Sequence, residues 1–136
     1  MTPRPFTVLI VDDEAPLRRV LARLLAKAGY RVLSAGGPEE AYSLLTTEAP
    51  DALMLDIYMP TMSGLALYIA ITNRWPRLLG CIAIMTGDAE ADEIRTWLEH
   101  HRCTVLRKPF DLSQATDWLN EVAQFQQRRD AGHESA

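Results

Sequence analysis

The chain has 136 residues, a formal net charge of -4, and 48% hydrophobic against 24% charged residues, the size and balance of one globular domain with little room for a second. No run approaches the ~18 apolar residues that cross a bilayer, and the acidic balance has the wrong sign for a dedicated nucleic-acid binder. The N-terminus lacks a signal-peptide core, and Cys81 and Cys103 show neither CxxC spacing nor partnering histidines, so reduced thiols in a cytoplasm are expected, without zinc or disulfides.

Short apolar runs alternate with segments of helical period. Phe6-Thr7-Val8-Leu9-Ile10-Val11 is continuous and rich in β-branched residues, which predicts a strand covered on both faces. Leu17, Val20, Leu21, Leu24, Leu25 and Ala28 then recur at spacings of three and four, with Pro16 near the first turn and Gly29 at the end, the pattern of an amphipathic helix. A second strand is predicted over 31–35, and a helix carrying Ala41, Leu44 and Leu45 follows Gly37-Pro38. Ala52-Leu53-Met54-Leu55 makes the third strand; its helix starts near Gly64 and stops at Trp75-Pro76, because a residue before proline is pushed out of helix. The fourth strand is 81–85, Ile94, Trp97 and Leu98 mark the next helix, and the fifth strand is 103–106. Asp111 and Gln114 have capping-box spacing before a last helix with Trp118, Leu119, Val122 and Phe125 on its stripe. The polar end, 126–136, is expected to fray. Five strands each followed by a helix imply a doubly wound α/β fold, a five-stranded parallel sheet with helices on both faces.

In such sheets ligands bind outside the carboxyl ends of the strands. The first strand ends in Asp12-Asp13-Glu14, the third in Asp56, the fourth in Thr86-Gly87-Asp88 and the fifth in Arg107-Lys108-Pro109. Carboxylates converging there repel by about 4 kcal/mol per pair at ~4 Å and an effective dielectric of 20. Lys108 offers one compensating charge, and an all-oxygen, carboxylate-rich site suits Mg²⁺. A carboxylate beside a bound metal can accept a phosphoryl group, with Thr86 and Lys108 as ligands for its oxygens.

Blander readings exist for each piece. Acidic residues favour helix N-termini, so Asp12, Asp13 and Glu14 could cap the first helix, and Thr86-Gly87 could be a turn. Arg18, Arg19, Arg23 and Lys27 give that helix a basic outer side, a solvated face or a docking surface for an acidic partner. Adjacent histidines do not share a helix face, so His100-His101 is not read as a metal site. Trp75, Trp97 and Trp118 are read as packing residues, and Cys81 and Cys103 as small buried hydrophobes.

Together, Val8-Leu9-Ile10-Val11-Asp12-Asp13-Glu14, Leu55-Asp56-Ile57-Tyr58-Met59-Pro60 with Gly64, Met85-Thr86-Gly87 and Lys108-Pro109-Phe110 resemble a response-regulator receiver domain of two-component signalling, CheY-like. The resemblance covers 6–125, leaving 1–5 as an N-terminal extension and 126–136 as a tail. It implies the flavodoxin-like strand order 2-1-3-4-5 and a cis Lys108-Pro109 bond. It implies Mg²⁺, with Mn²⁺ as a substitute, held by Asp13, Asp56 and the Tyr58 backbone carbonyl, and by Asp12 mainly through water. Asp56 would be the phosphoacceptor, with Thr86 and Lys108 assisting. The donor would be a phosphohistidine on a sensor histidine kinase or histidine phosphotransferase, and the product a conformational switch controlling a protein partner, not an enzyme. The domain is expected to be a monomer or a weak dimer through the face of helix four, strand five and helix five.

Two positions depart from the family pattern. Val105 stands where an aromatic ring commonly follows the hydroxyl inward, and a β-branched aliphatic cannot make that swing. His101-Arg102 gives the fourth helix a bulkier, more polar end. Tyr58 and Asp88 flank the site and are expected to tune the life of the phosphate. Val105 also motivates an alternative, a phosphorylation-independent interaction module. A metal-dependent phosphohydrolase is disfavoured, since Asp12-Asp13-Glu14 is not the Asp-x-Asp of such enzymes, and a flavin binder is weaker still. If the chain is complete, its signal passes by protein contact or by relaying the phosphate.

Overall fold

The five apolar runs form β1 (Thr7–Val11), β2 (Arg31–Ala35), β3 (Ala52–Asp56), β4 (Ile82–Thr86) and β5 (Thr104–Arg107). The helices are α1 (Ala15–Lys27), α2 (Pro38–Glu48), α3 (Gly64–Arg74), α4 (Asp92–His100) and α5 (Leu112–Glu134), with a 3-10 turn at Pro76–Leu78. This is a computed structural model, and it describes residues 5–60, 62–87, 92–101 and 103–134; Asp88 and Arg102 lie outside them.

All strands are parallel, in the order β2-β1-β3-β4-β5. Every residue of β1, β3 and β4 is buried, which is why those runs are apolar throughout instead of alternating. Val11 pairs with Ala35 and Leu55, Asp56 with Met85, and Thr86 with Arg107. The strands therefore finish level with one another, and the polar residues that end them meet at one edge.

Local signals set the helix limits. Gly29 takes a φ of 103° after α1, a conformation that costs glycine little. Ser63 caps α3, its hydroxyl accepting the Leu65 amide at 3.1 Å. The Asp111 amide donates to Gln114 Oε1 at 2.8 Å, the reciprocal half of the expected capping box.

Two expectations are revised. The stripe of α1 is wider than the surface that covers it: Leu25 is buried, but Leu17, Val20 and Leu24 are 48%, 56% and 39% exposed. The polar end, expected to fray from 126, is helical over its described part, where α5 continues to Glu134. Gln126 Nε2 donates to the Asp51 carbonyl at 2.7 Å and Arg129 Nη1 to that of Arg77 at 3.0 Å. Arg129 also lies over the Phe125 ring, 5.3 Å from its centre. These bonds tie the added turns to the loops that lead into β3 and β4, so the helix does not rely on propensity alone.

Candidate metal centre

The edge brings together the residues expected there. Asp12, at the end of β1, and Asp56, at the end of β3, are 3% and 4% exposed, and Thr86 at the end of β4 is fully buried. Carboxylate oxygens of Asp12, Asp13 and Asp56 lie within 4.8 Å of one another. Asp13 faces solvent, which leaves the cluster open on one side.

Lys108 supplies the opposing charge. Its Nζ donates to Asp12 Oδ2 at 2.9 Å and stands 3.6 Å from Asp56 Oδ1. The Lys108-Pro109 bond is cis, as the resemblance implied, and the Lys108 amide donates to the Thr86 carbonyl at 2.8 Å. Burial of the ammonium opposes its charge, but the Asp12 hydrogen bond and the fields of Asp56, Asp12 and Glu14 prevail and raise its pKa.

One lysine does not balance three carboxylates. Burial pushes the Asp56 carboxyl up to about 6; Lys108 pulls it down, and the neighbouring Asp12 charge pushes it up again. A group that gives up its charge this readily is one whose ionised form lacks a cation. The donor set is all oxygen and carboxylate-rich, which fits Mg²⁺ or Mn²⁺ and not a metal that prefers sulfur or imidazole.

The backbone around Asp56 is closely fitted. The Tyr58 amide points to Asp56 Oδ1 at 3.4 Å, while the Tyr58 side chain is 56% exposed beside the site. The Gly64 amide donates to the Ile57 carbonyl at 2.8 Å, and a Cβ on Gly64 would stand 2.2 Å from the Asp56 carbonyl oxygen. No side chain fits there, so the glycine lets the first turn of α3 press against the end of β3.

Asp12 is held from four directions. Its amide donates to the Ala35 carbonyl at 3.1 Å, and its Oδ1 accepts the Glu14 amide at 2.9 Å. Lys108 takes Oδ2, and Arg18 Nη1 donates to its main-chain carbonyl. The sequence showed Arg18 only as part of a basic face; its contact with the acidic loop was missed.

Among the described residues, His100 and His101 form no such cluster. His100 and His101 each direct Nδ1 to the carbonyl four residues earlier, Thr96 at 2.9 Å and Trp97 at 3.0 Å. The His101 ring stacks on Trp97 with centres 4.1 Å apart, and buried Tyr68 meets Trp97 edge-on at 5.1 Å. Half-buried Val105 stands on β5 opposite Ile84, so aromatic packing near this end of the sheet comes from α3 and α4 instead.

Comparison with known proteins agrees with this fold. The family model described as "Response regulator receiver domain" matches residues 8–120. The chain belongs to the response-regulator receiver family. This receiver domain is 35% identical over 121 residues to the DNA-binding transcriptional regulator NtrC of Klebsiella pneumoniae, covering 88% of the chain and 25% of that relative. It is 34% identical over 116 residues to the phosphate regulon transcriptional regulatory protein PhoB of Pseudomonas aeruginosa, covering 85% of the chain and 51% of the relative. The chain thus spans between a quarter and half the length of these two regulators. Among solved structures, the Vibrio cholerae chemotaxis protein CheY4 superposes with a TM-score of 0.77 at 26% identity, over 88% of this chain and 99% of that one.

Proposed function

We propose that this receiver domain accepts a phosphoryl group on Asp56 from a phosphohistidine of a sensor histidine kinase or histidine phosphotransferase, and switches conformation to control a protein partner. The observation that supports it most is a buried carboxylate grouped with Asp12 and Asp13 within 4.8 Å and faced by Lys108 at 3.6 Å. A carboxylate oxygen of Asp56 attacks phosphorus, the P–O bond forms, and the P–N bond breaks with its electron pair returning to the donor imidazole. Asp13, Asp56 and the Tyr58 carbonyl, with Asp12 through water, would hold Mg²⁺, which when bound neutralises charge on the transferring group. Lys108 and the Thr86 hydroxyl meet the phosphoryl oxygens. The new group alters the balance between two conformations only by its differential interaction with them.

The donor would dock on the uncovered stripe of α1. Leu17, Val20, Leu21 and Leu24 line a cavity of about 320 Å³ that also reaches Asp12, Lys108 and Phe110. Exposed Arg19 and Arg23 lie on the same helix and suit an acidic helical partner. Val20→Asp is expected to slow transfer from a phosphohistidine protein about tenfold or more, since even a neutral polar group left unpaired in an apolar contact costs about 1–3 kcal/mol and a charge costs more. Labelling by a small phosphodonor should slow by much less, because it needs no contact with α1 and feels the new carboxylate only through its field in the cavity shared with Asp12 and Lys108.

The site itself is tested by incubating the chain with Mg²⁺ and a small phosphodonor and measuring its mass. One added phosphoryl group is expected, absent in Asp56→Asn; no adduct with any donor would leave the alternative, an interaction module independent of phosphorylation. Val105 is what favours that alternative. The output face would be α4, β5 and α5, used by a monomer or a weak dimer in the cytoplasm.

A further inference from the structure

We propose that Arg18 is a positioning residue for the metal centre, acting through the main chain of Asp12; the inference rests on the Mg²⁺ reading above. The Arg18 guanidinium donates Nη1 to the carbonyl of Asp12, the residue that begins the acidic loop. Arg18 belongs to the first turn of α1, and its own amide is bonded to the Glu14 carbonyl at 2.9 Å, so the side chain closes a loop over 12–18. That loop carries both Asp12 and Asp13.

The guanidinium is seated on its other side as well. A Cβ built on Gly36, just past β2, would stand 3.3 Å from Arg18 Nη1 and 3.5 Å from Glu40 Oε1. The missing side chain at Gly36 leaves the space in which Arg18 lies beside the acidic first turn of α2. Arg18 therefore bonds to the end of β1 and lies against the β2–α2 turn at Gly36. A fork of rigid donors suits this bridging better than a single ammonium.

Two effects of Arg18 on a divalent cation have opposite signs. As a positive charge near Asp12 and Asp13 it repels the cation, so its removal would tighten binding. As the clamp on the loop that presents the ligands it favours binding, so its removal would weaken it; outer partners of metal ligands are typically worth 10–100-fold in affinity. The bond to Asp12 and the seat at Gly36 favour the second effect.

The test is Mg²⁺ titration by calorimetry at constant ionic strength, with metal-free folding checked by circular dichroism. Arg18→Met is expected to raise the Mg²⁺ Kd about tenfold. Gly36→Ala keeps the charge but crowds Nη1, and a smaller rise, about threefold, is expected. Arg18→Lys retains charge and one donor and should fall between wild type and Arg18→Met. An Arg18→Met Kd equal to or below that of the wild type overturns the proposal. If that variant does not fold, an unchanged Kd in Gly36→Ala overturns it instead. Absence of Mg²⁺ binding by the wild type would overturn the metal reading underneath, a failure distinct from either.

Discussion

Replacing Lys108 with methionine is expected to cost the metal-free protein about 3 kcal/mol, the lower end of the range for removing one partner of a buried pair. At roughly 4 °C per kcal/mol for a domain of this size, the melting temperature should drop by about 12 °C. The reason is what stays behind. Methionine fills nearly the same volume, so the loss is chiefly electrostatic: Asp12 and Asp56 are 3% and 4% exposed and would face each other and Asp13 with the Glu14 and Tyr58 amides but without the ammonium. Lys108 is the cation that the structure shows touching two of the three, at 2.9 Å and 3.6 Å.

Mg²⁺ gives this prediction a second arm. A divalent cation at the cluster supplies the charge that the lysine supplied, so added Mg²⁺ should stabilise Lys108→Met by more than it stabilises the wild type. Equal stabilisation of the two would mean that lysine and metal do not answer the same carboxylates. Labelling of Asp56 by a small phosphodonor should also slow, by about 100-fold or more if the ammonium contacts a phosphoryl oxygen that gains charge in the transition state. A variant that lost stability yet labelled at the wild-type rate would limit Lys108 to a structural part.

What could be read in advance followed physical rules. β1, β3 and β4 were legible because strands buried on both faces must be apolar throughout, and a run such as Leu53-Met54-Leu55 ending in Asp56 announces where cover gives way to chemistry. The grouping at the candidate site was legible for the same reason, since Asp12, Asp56 and Thr86 each end or follow such a run, while Lys108 follows the more exposed β5. Periodicity marks an apolar stripe but does not say what covers it, so the exposure of Leu17, Val20 and Leu24 was invisible. The extra turns of α5 depend on Gln126 and Arg129 reaching main-chain carbonyls at Asp51 and Arg77. Arg18 was hidden likewise, because its partner is the carbonyl of Asp12, and a carbonyl leaves no mark in a sequence. Contacts of side chains with remote backbone are where sequence reading ended.

Stability against pH tests the same electrostatics from the side of Asp56. Its carboxyl has an ordinary value of 3.8 and stands at about 6 in the fold, raised first by burial. Between those values the folded chain keeps a proton that the unfolded chain releases. Stability must therefore fall as pH rises through the window from about 4 to about 6, and this contribution is flat on either side. About 2–3 kcal/mol is expected to be lost across it without metal, from a shift near two units, the Lys108 field included, at 1.36 kcal/mol each.

Asp56→Asn removes the titrating group and one of the three repelling charges while keeping the shape. Its metal-free stability should be level over that window. Above pH 6 it should exceed the wild type by about 2 kcal/mol, or about 8 °C in melting temperature. Mg²⁺ should then narrow the gap from the other side. It binds the wild type through a carboxylate that the variant lacks, and at tenfold excess over Kd it adds about 1.4 kcal/mol. Urea titrations at pH 4, 5, 6 and 7.5, with and without Mg²⁺, separate these effects. A wild type that grows more stable through the window would show Asp56 stabilised as an anion, contrary to a site short of positive charge. A domain that is more stable with its Asp56 carboxylate neutralised carries, at that position itself, free energy that a cation, or the phosphoryl group proposed to be added there, can release into the conformational equilibrium.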